Sequence, residues 1–399
     1  MHYNFRLFWR TFYRSFFAAQ NTPARLTRKR IIFIALFYLV WPIGSLVHWF
    51  CFLLDDLLFP AHKTQVIEKP LFIIGNLRSG STFLHRLLSR DSETFTSLTT
   101  WDIYLTPSVT QKKVTQLISK VDKKLGGNLH RLLHAFDRRT LGKFKIHPIS
   151  FFQPEEDENI LLHKWDSYWI SFLFPFMEEL PNYQHFDEAI SARRKRQIMA
   201  FYKSMLQRHM YATGKKYYTA KAPAFSAKIE TLIEFFPDAR IIYLARNPLD
   251  MLPSTVSWIN YARRVFTDPK EKYLYLDEIM DFTQHWYRYP LHFLDSHPSP
   301  RHLILNYEDL IQRPEQVLRA FYEQFGYPDR PGLEVIVDEA VKETLSFNSD
   351  HAYSYAEMGF TRQQIIELYP EIFERFGFDK REHELSDRNA QIANIHAFE

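Results

Sequence analysis

The chain has 399 residues, of which 46% are hydrophobic and 24% charged, so it can bury a large core and is not globally disordered. Its net charge of +4 is too small for a general polyanion-binding protein, and we expect no nucleic-acid partner. Only 11 glycines and the lack of a fixed internal period exclude a collagen-like chain and a repeat array.

The first thirty residues carry seven Lys and Arg residues and no acidic residue. Arg6, Arg10 and Arg14 recur at every fourth position, which places them in one stripe on a helix. Aromatic residues cover much of the remaining surface: Phe5, Phe8, Trp9, Phe12, Tyr13, Phe16 and Phe17. This pattern predicts a helix in the bilayer interface, with buried rings and guanidinium groups near anionic head groups. The alternative is that the same rings pack on the domain formed by the rest of the chain.

An uncharged run follows from Ile31 to Leu54, which as a helix would extend about 36 Å, enough to cross a bilayer. Pro42 and Gly44 interrupt its middle. A single span would place most of the chain on the far side by the positive-inside rule. A broken, re-entrant or surface-lying pair of short helices would keep it cytoplasmic, and a buried soluble hairpin is the third possibility.

Cys51 is the only cysteine, which excludes an internal disulfide and a cysteine-based zinc site. The sequence also contains no Asn-x-Ser/Thr sequon. A long lumenal domain would usually carry one of these features, so the pair of short helices is favoured. We therefore predict that residues 1–60 form a membrane-associating segment and that the rest of the chain is cytoplasmic.

Residues 66–399 are predicted to form one α/β domain without a Gly/Ser-rich linker. Short apolar runs predict buried parallel strands at Leu71–Gly75, Tyr217–Lys221, Arg240–Ala245 and His302–Asn306. Helices are predicted at Ser81–Arg90, Phe225–Phe236 and Tyr307–Phe325, with 107–140 and 187–212 forming a cap or substrate-side layer. Strands that alternate with helices predict a three-layer, P-loop-like fold with a central parallel sheet.

The strongest chemical signal is the loop from Gly75 to Thr82, Gly-Asn-Leu-Arg-Ser-Gly-Ser-Thr, which follows a strand and opens a helix. Such a turn directs free backbone N–H groups toward one point at the positive end of a helix, where a phosphate fits. Ser81 stands where a nucleoside-triphosphate enzyme has lysine, and Arg78 supplies the positive charge instead. This replacement argues against ATP or GTP hydrolysis. The alternative is an ordinary strand–turn–helix with a surface arginine.

A second motif begins at Arg246, directly after a predicted strand, and ends with Ser254. A Walker B strand would carry a magnesium-binding aspartate at the position of Arg246. Ligands bind at the carboxyl edge of open parallel sheets, where an arginine and a serine hydroxyl together can hold a second phosphate. The alternative is a salt bridge between Arg246 and Asp250.

Together these motifs resemble the sulfotransferase superfamily that uses 3′-phosphoadenosine 5′-phosphosulfate (PAPS), in its bacterial and tyrosylprotein-type branch. The resemblance covers residues 66–378. It departs from the branch at Ser81, where threonine is commoner. The Gly-rich C-terminal motif of cytosolic sulfotransferases is absent, as it is in this branch, and His351–Phe360 resembles the branch's Tyr-Ser…Gly segment, which is expected to close over the nucleotide.

The resemblance implies a role for each matching residue. The loop residues that would hold the 5′-phosphosulfate of PAPS are Arg78, Ser79, Gly80, Ser81 and Thr82. Arg246 and Ser254 match the family's residues for the 3′-phosphate. Lys221, in Ala-Lys-Ala-Pro, matches the Lys-x-Pro lysine near the transferring sulfuryl group.

Charge grows on the bridging oxygen of the donor during transfer, so Arg78 and Lys221 should stabilise the transition state, and no metal is expected. The acceptor must lose a proton to a general base. The candidates are Asp102 in Thr-Trp-Asp, Glu155 and Glu156 in Pro-Glu-Glu-Asp-Glu, and His147 in Ile-His-Pro. The alternatives are a helix cap or salt bridge for Asp102, a solvated helix N-terminus for the acidic run, and a structural role for His147.

The sequence therefore predicts a membrane-associated sulfotransferase that moves a sulfuryl group from PAPS to a hydroxyl or amine. The acceptor is unidentified, and a lipid or a glycan fits a membrane-proximal site. Two alternatives stay open: a P-loop kinase-type phosphotransferase, which would bind ATP and magnesium, and a catalytically silent membrane scaffold.

Overall fold

The protein is described by a computed structural model that covers residues 3–140, 150–176, 180–270, 273–328, 334–339, 342 and 355–378. Its five strands form one parallel sheet in the order β2-β3-β1-β4-β5. The strands are β1 Glu68–Gly75, β2 Phe95–Thr96, β3 Tyr217–Lys221, β4 Arg240–Ala245 and β5 His302–Asn306. The four predicted strands are confirmed, while β2, with only two residues, is too short to show a sequence pattern.

Helices surround the sheet. Those bounded within the described residues are α1 Phe5–Phe17, α2 Arg28–Leu58, α3 Ser81–Arg90, α4 Thr100–Tyr104, α5 Val109–Lys124, α6 Asn128–Thr140, α7 Ile170–Leu173, α8 Phe186–Ala189, α9 Ala192–Thr213, α10 Ile229–Phe235, α11 Pro248–Phe266, α12 Leu276–Ser296, α13 Tyr307–Gln312, α14 Pro314–Phe325, α15 Tyr355–Met358, α16 Arg362–Leu368 and α17 Pro370–Phe376. Short 3₁₀ helices cover Pro60–Thr64, Asp157–Lys164, Leu180–Tyr183 and Pro223–Lys228.

Both faces of the sheet are covered, as predicted for a three-layer fold. Successive strand residues point to opposite faces, so Phe72 and Ile74 of β1 join one core while Leu71 and Ile73 join the other. Helices α9 to α12 cover the first face, and α3, α13 and α14 cover the second. Strands buried on both faces explain why the runs are apolar without alternation.

Two predicted helices differ from the structure. The predicted helix Tyr307–Phe325 is divided into α13 and α14 at Arg313, because the residue before a proline disfavours helical backbone and Pro314 begins the next helix. The predicted helix Phe225–Phe236 begins as a 3₁₀ helix after Pro223, and α10 proper covers only Ile229–Phe235.

The prediction of two short helices in the run 31–54 is wrong, because α2 is one helix of 31 residues with Pro42 inside it. Contacts on both sides of the proline hold the helix together. The Arg30 guanidinium donates to the carbonyl of Phe266 at 2.8 Å, and Asp55 pairs with Arg208 at 3.0 Å. Tertiary packing thus outweighs the one hydrogen bond that proline removes. Among the described residues, α2 is the one helix long and apolar enough to cross a membrane.

The N-terminal helix α1 packs on the domain with one face and exposes the other. Phe8 is buried with its ring 5.2 Å from that of Trp165, and Asn4 donates to Asp166 at 3.1 Å. The opposite face exposes more than half of four aromatic side chains: Phe5, Trp9, Tyr13 and Phe17. The alternative of packing therefore holds for the inner face, while the outer face keeps the amphipathic pattern predicted for an interface.

Candidate active site

The sheet brings the predicted motifs to one edge. Strands β3 and β4 flank β1, with Ile73 aligned to Lys221 and Gly75 aligned to Leu244. The strands are parallel, so the loop after β1, Lys221 at the end of β3 and Arg246 after β4 all lie at the carboxyl edge. This is where open parallel sheets bind their ligands.

Close packing fixes the backbone of the loop after β1. A Cβ atom on Gly75 would lie 2.4 Å from the carbonyl oxygen of Leu244, and one on Gly80 would lie 2.4 Å from the ring of Tyr307. Both glycines have positive φ, at 145° and 90°. The Ser226 hydroxyl accepts from the Gly75 amide and donates to the Gly75 carbonyl, both at 2.9 Å. Glycine is therefore required at both loop positions for backbone reasons.

Arg78 contacts both Arg246 and Ser254, and the sequence predicted all three as anion-binding residues. The Arg78 Nε donates to the Ser254 hydroxyl at 3.0 Å, and Arg246 donates to the Arg78 carbonyl at 2.8 Å. Arg78 has a φ of 63°, a conformation that is costly for a non-glycine residue and often marks a functional loop. Arg246 does not pair with Asp250, the alternative raised by the sequence; its guanidinium lies 4.6 Å from the centroid of the Tyr307 ring.

The loop has the donors that a phosphate or sulfate group needs. Helix α3 begins at Ser81 after Gly80, which has no side chain to cap the first-turn amides of Ser81 and Thr82. Within the described part of the chain, the hydroxyl of Ser79 and the Nε of Arg246 are buried and have no hydrogen-bond partner. Unpartnered buried donors at the positive end of a helix fit an anionic ligand.

Lys221 and Glu156 form a buried ion pair, with the Lys221 Nζ 2.8 Å from the Glu156 Oε1 and side-chain exposures of 1% and 8%. Burial raises the pKa of the Glu156 carboxyl, and the attraction of Lys221 only partly offsets this effect. A carboxylate with a raised pKa beside a fixed cation is a typical arrangement for proton transfer.

The acidic run Glu155–Glu158 is buried, so the alternative of a solvated helix N-terminus is wrong. The Glu155 carboxylate accepts from the Glu156 amide at 2.9 Å. Asp157 accepts from the hydroxyls of Tyr202 and Tyr218 at 2.6 and 2.5 Å.

Asp157 and Glu158 differ in how their charges are compensated. Burial raises the pKa of Asp157 to about 7, against the hydrogen bonds of its two tyrosine partners. Glu158 forms a fully buried ion pair with Lys228 and also accepts from the Tyr168 amide at 2.9 Å.

Asp102 has structural partners. Its carboxylate forms a capping box with Thr99 at the start of α4 and an ion pair with Lys112 of α5. Burial acts to raise its pKa, but the charges of Lys112 and His209 and the hydrogen bonds prevail and lower it to about 2. The cap and salt-bridge alternative thus describes what Asp102 does in this structure.

Two further predictions concern residues outside the described part of the chain. His147 lies in the segment 141–149, and the first four residues of His351–Phe360 also lie outside the described ranges. Within that segment, the Tyr355 hydroxyl donates to the Leu249 carbonyl at 3.2 Å, at the start of α11 and three residues after Arg246.

Sequence reasoning missed Tyr307, whose ring contacts both Arg246 and the Gly80 position. A signal was present: Tyr307 directly follows β5, and Asn306 is aligned with Ala245. Every residue that follows a strand at the carboxyl edge is a candidate for the site.

Comparison with known proteins agrees with this architecture. A model described as "Sulfotransferase family" matches residues 70–331. The omega-hydroxy-beta-dihydromenaquinone-9 sulfotransferases Stf3 of Mycobacterium bovis and Mycobacterium tuberculosis are each 25% identical over 327 residues, which make up 80% of this chain and 77% of theirs.

Two crystal structures share the fold. Sulfotransferase STF9 from Mycobacterium avium has a TM-score of 0.70 and 18% identity, covering 95% of this chain and 98% of its own. Sulfotransferase STF1 from Mycobacterium tuberculosis H37Rv has a TM-score of 0.63 and 18% identity, covering 91% and 92%.

The fold and the comparisons define an enzyme whose loop after β1 carries Ser81 at the position where nucleoside-triphosphate enzymes have lysine. The chain belongs to the sulfotransferase family, whose model matches more than half of it. It is a sulfotransferase, an enzyme that transfers sulfuryl groups. The predicted family and fold are confirmed, and neither the kinase nor the scaffold alternative gains support.

Proposed function

We propose that this sulfotransferase takes its sulfuryl group from PAPS and transfers it to a hydroxyl of a lipid acceptor at a membrane surface. The contact among Arg78, Arg246 and Ser254 at the loop after β1 is the observation that carries the donor assignment. The lipid assignment is supported by two relatives that are named for a hydroxylated dihydromenaquinone. It is also supported by α2, which exposes most of its apolar surface.

PAPS carries a 5′-phosphosulfate and a separate 3′-phosphate, whereas ATP carries its phosphates in one chain. In our proposal the residues that bind the 5′-phosphosulfate are Arg78, Ser79, Gly80, Ser81 and Thr82. Arg246 and Ser254 bind the 3′-phosphate. The hydrogen bond between Arg78 and Ser254 makes the two anion sites neighbours, which suits a donor with two separate anionic groups.

During transfer, the bond between sulfur and the phosphate oxygen breaks as a new bond forms between sulfur and the acceptor oxygen. In our proposal the proton of the acceptor hydroxyl passes to the Glu156 carboxylate. Lys221 and Arg78 place positive charge near the oxygen that leaves with the phosphate. No step requires a metal ion.

We propose Glu156 as the general base in preference to Asp102. Glu156 contacts Lys221 and has a raised pKa, which makes it a stronger base, whereas Asp102 has a lowered pKa and is occupied by Lys112. Glu155 is the second candidate, because its carboxylate contacts the Glu156 amide.

Membrane association follows from the same N-terminal helices. The basic residues of α1 and of the start of α2 favour the cytoplasmic leaflet under the positive-inside rule, so we place the catalytic domain in the cytoplasm.

The donor assignment is tested by thermal unfolding of detergent-solubilised protein with 3′-phosphoadenosine 5′-phosphate, the desulfated product, and separately with ATP and magnesium. We expect the bisphosphate to raise the midpoint of unfolding, because a ligand that binds only the folded state stabilises it. Arg246→Ala should abolish the rise. The matched control is Arg301→Ala, an exposed arginine that precedes β5 at the opposite end of the sheet.

A larger rise with ATP and magnesium than with the bisphosphate would contradict the donor assignment. For the acceptor, we expect incubation with radiolabelled PAPS to label the organic phase of a membrane lipid extract. Labelling confined to soluble glycans would contradict the lipid assignment and leave the donor assignment standing.

A further inference from the structure

Helix α2 exposes a continuous apolar stripe along nearly its whole length. The stripe positions are separated alternately by four and three residues, so they lie on one face of the helix. They are Ile32, Leu36, Leu39, Ile43, Leu46, Phe50, Leu53 and Leu57, each more than half exposed. A stripe of 26 residues extends about 38 Å along the helix axis.

The opposite face of α2 is attached to the catalytic domain near both ends. Arg30 donates to the Phe266 carbonyl, and Asp55 pairs with Arg208 of α9. Between these attachments, His48 contacts the Gln111 side chain at 3.2 Å. A helix attached to one domain at its start, middle and end cannot cross a bilayer away from that domain. Its exposed stripe can enter a membrane only with the helix axis lying along the domain surface.

The hairpin of α5 and α6 carries a second exposed apolar surface, which the sequence patterns did not single out. The exposed side chains are Val114, Leu117, Ile118, Val121, Leu125, Leu129, Leu132 and Phe136. Helix α5 begins against α2, because the Asp55 carboxylate accepts from the amides of Val109 and Thr110 at 2.9 and 2.7 Å. Asp55 thus fixes the start of α5 against α2, the helix that carries the first exposed surface.

The charge of the hairpin indicates what covers it. Residues 109–140 contain eight Lys and Arg residues and two acidic residues. Both acids have local structural partners: Asp122 accepts from two amides at the start of α6, and Asp137 accepts from the Ser150 hydroxyl and the Phe151 amide. An exposed apolar surface on a hairpin with far more cations than acids is complementary to a leaflet with anionic lipid head groups.

The hairpin also lies close to the acid-bearing segment of the site. Lys112 on α5 pairs with Asp102 of α4, and the residue before that capping box, Leu98, accepts from the Glu155 amide at 3.0 Å. The chain of contacts from the hairpin to Glu155 and its neighbour Glu156 is therefore short.

We infer that α1, α2 and the α5–α6 hairpin form one monotopic membrane-binding surface, which sits in a single anionic leaflet with α2 parallel to the bilayer plane. The partner of this surface is the leaflet, from which the proposed lipid acceptor reaches the enzyme. For the class of acceptor, this inference rests on the proposed function. A second copy of the chain is the competing occupant.

Binding is tested by flotation of the full chain with vesicles of phosphatidylcholine containing phosphatidylglycerol, and with phosphatidylcholine alone. We expect flotation with the anionic vesicles to exceed that with neutral ones and to weaken as salt is raised. Leu117→Glu with Leu132→Glu in the hairpin should lower partitioning by about tenfold or more, since charge replaces exposed apolar surface. Val335→Glu, an exposed apolar residue outside the surface, is the matched control and should float normally.

Orientation is tested with Cys51→Ser protein that carries one new cysteine, either Gln20→Cys before α2 or Lys63→Cys after it. A membrane-impermeant maleimide added to one side of sealed membranes should label both positions to the same extent. Labelling of only one position from each side would show that α2 spans the bilayer and would overturn the inference.

Two further outcomes would overturn the membrane-binding inference. One is that the double hairpin variant floats as well as the control does. The other is that this variant changes its oligomeric state without a change in flotation. Bisphosphate binding measured on the same variants separates this inference from the proposed function. The hairpin variant should keep the full thermal shift, whereas a missing shift in the wild-type protein would contradict the donor assignment alone.

Discussion

At Glu156, burial and a neighbouring cation act in opposite directions, and burial has the larger effect on the pKa. A base that is harder to ionise holds a transferred proton more strongly, while Lys221 keeps its carboxylate in place. Glu156→Gln preserves the shape of the side chain and removes the proposed base. We expect kcat to fall by about 10² to 10⁴-fold, with bisphosphate binding retained.

Glu155→Gln is the matched control, because Glu155 is also buried and lies next to Glu156 in the chain. Its kcat should fall far less. If Glu155→Gln lost more activity than Glu156→Gln, the assignment of the base would have to be reversed. The acidic limb of the pH–kcat profile should disappear only in the Glu156 variant.

Asp157, the next residue, makes stability depend on pH. Its pKa of about 7 in the folded protein lies above the ordinary 3.8, so the folded state holds the proton more tightly than the unfolded state. The contribution to stability is full below about pH 4 and is lost as pH rises to about 7. Asp157→Asn removes this titration, so its unfolding free energy relative to wild type should rise between pH 4 and pH 8.

Asp102→Asn provides the comparison for that measurement. The pKa of Asp102 is lowered to about 2, so its contribution is present above pH 3.8 and is lost only as pH falls further. The difference between this variant and wild type should stay constant from pH 5 to pH 8. A constant difference for Asp157→Asn over the same range, measured by urea unfolding, would contradict its raised pKa.

At the scale of elements, the loop between β1 and α3 shows how a glycine can be required for two reasons at once. Gly80 has a φ of 90°, and a Cβ there would overlap the Tyr307 ring. Gly214, at the end of α9, has a φ of 67° and open space around its Cβ position. Gly80→Ala should therefore lower the unfolding free energy by more than Gly214→Ala, whose cost of about 1 kcal/mol reflects backbone strain alone.

A double-mutant cycle with Tyr307→Ala measures the overlap directly. Removing the ring should recover part of the stability lost by Gly80→Ala, giving a favourable interaction energy between the two substitutions. Additive effects on the unfolding free energy would show that the Tyr307 ring moves aside and that backbone strain alone causes the loss of stability in Gly80→Ala.

Local patterns predicted most of the sheet and the loop after β1, because a few consecutive residues define each of them. The apolar run before Gly75 and the glycine spacing after it are examples. The role of the acidic run was not predictable in this way. Its partners Tyr202, Lys221 and Lys228 lie far along the chain, and only the folded structure brings them to Glu156, Asp157 and Glu158.

Local patterns were also insufficient to predict α2, because Pro42 favoured a break in the helix. Attachments to Phe266 and Arg208, more than 150 residues away in each case, lie on either side of Pro42 and keep the helix continuous. Long-range packing therefore keeps the helix continuous at Pro42, where local propensity favours a helix boundary.

At the scale of the whole molecule, the N-terminal helices share a hydrophobic core with the catalytic domain. Phe8 and Phe52 belong to the same buried cluster as Phe72 of the central sheet. In our proposal these helices bind a membrane. Because they also form part of the core, damage to their attachment should unfold the enzyme as well as release it from the membrane.

A substitution at Asp55 tests whether the N-terminal helices and the catalytic domain unfold together. It is fully buried, pairs with Arg208, and accepts from the first amides of α5. Asp55→Ala would leave the Arg208 guanidinium without its buried partner, and breaking a buried pair from one side costs about 3 to 5 kcal/mol. Asp56→Ala is the matched control, because Asp56 also contacts Arg208 but its side chain is 36% exposed. Its cost should be about 1 kcal/mol or less.

The measurement is urea unfolding in detergent micelles, followed by the fluorescence of the tryptophans and by bisphosphate binding. For Asp55→Ala both signals should shift together to lower urea, because the helices and the donor site unfold as one unit. If the bisphosphate-binding transition stayed unchanged while the N-terminal helices separated from the domain, those helices would be independent of the catalytic domain.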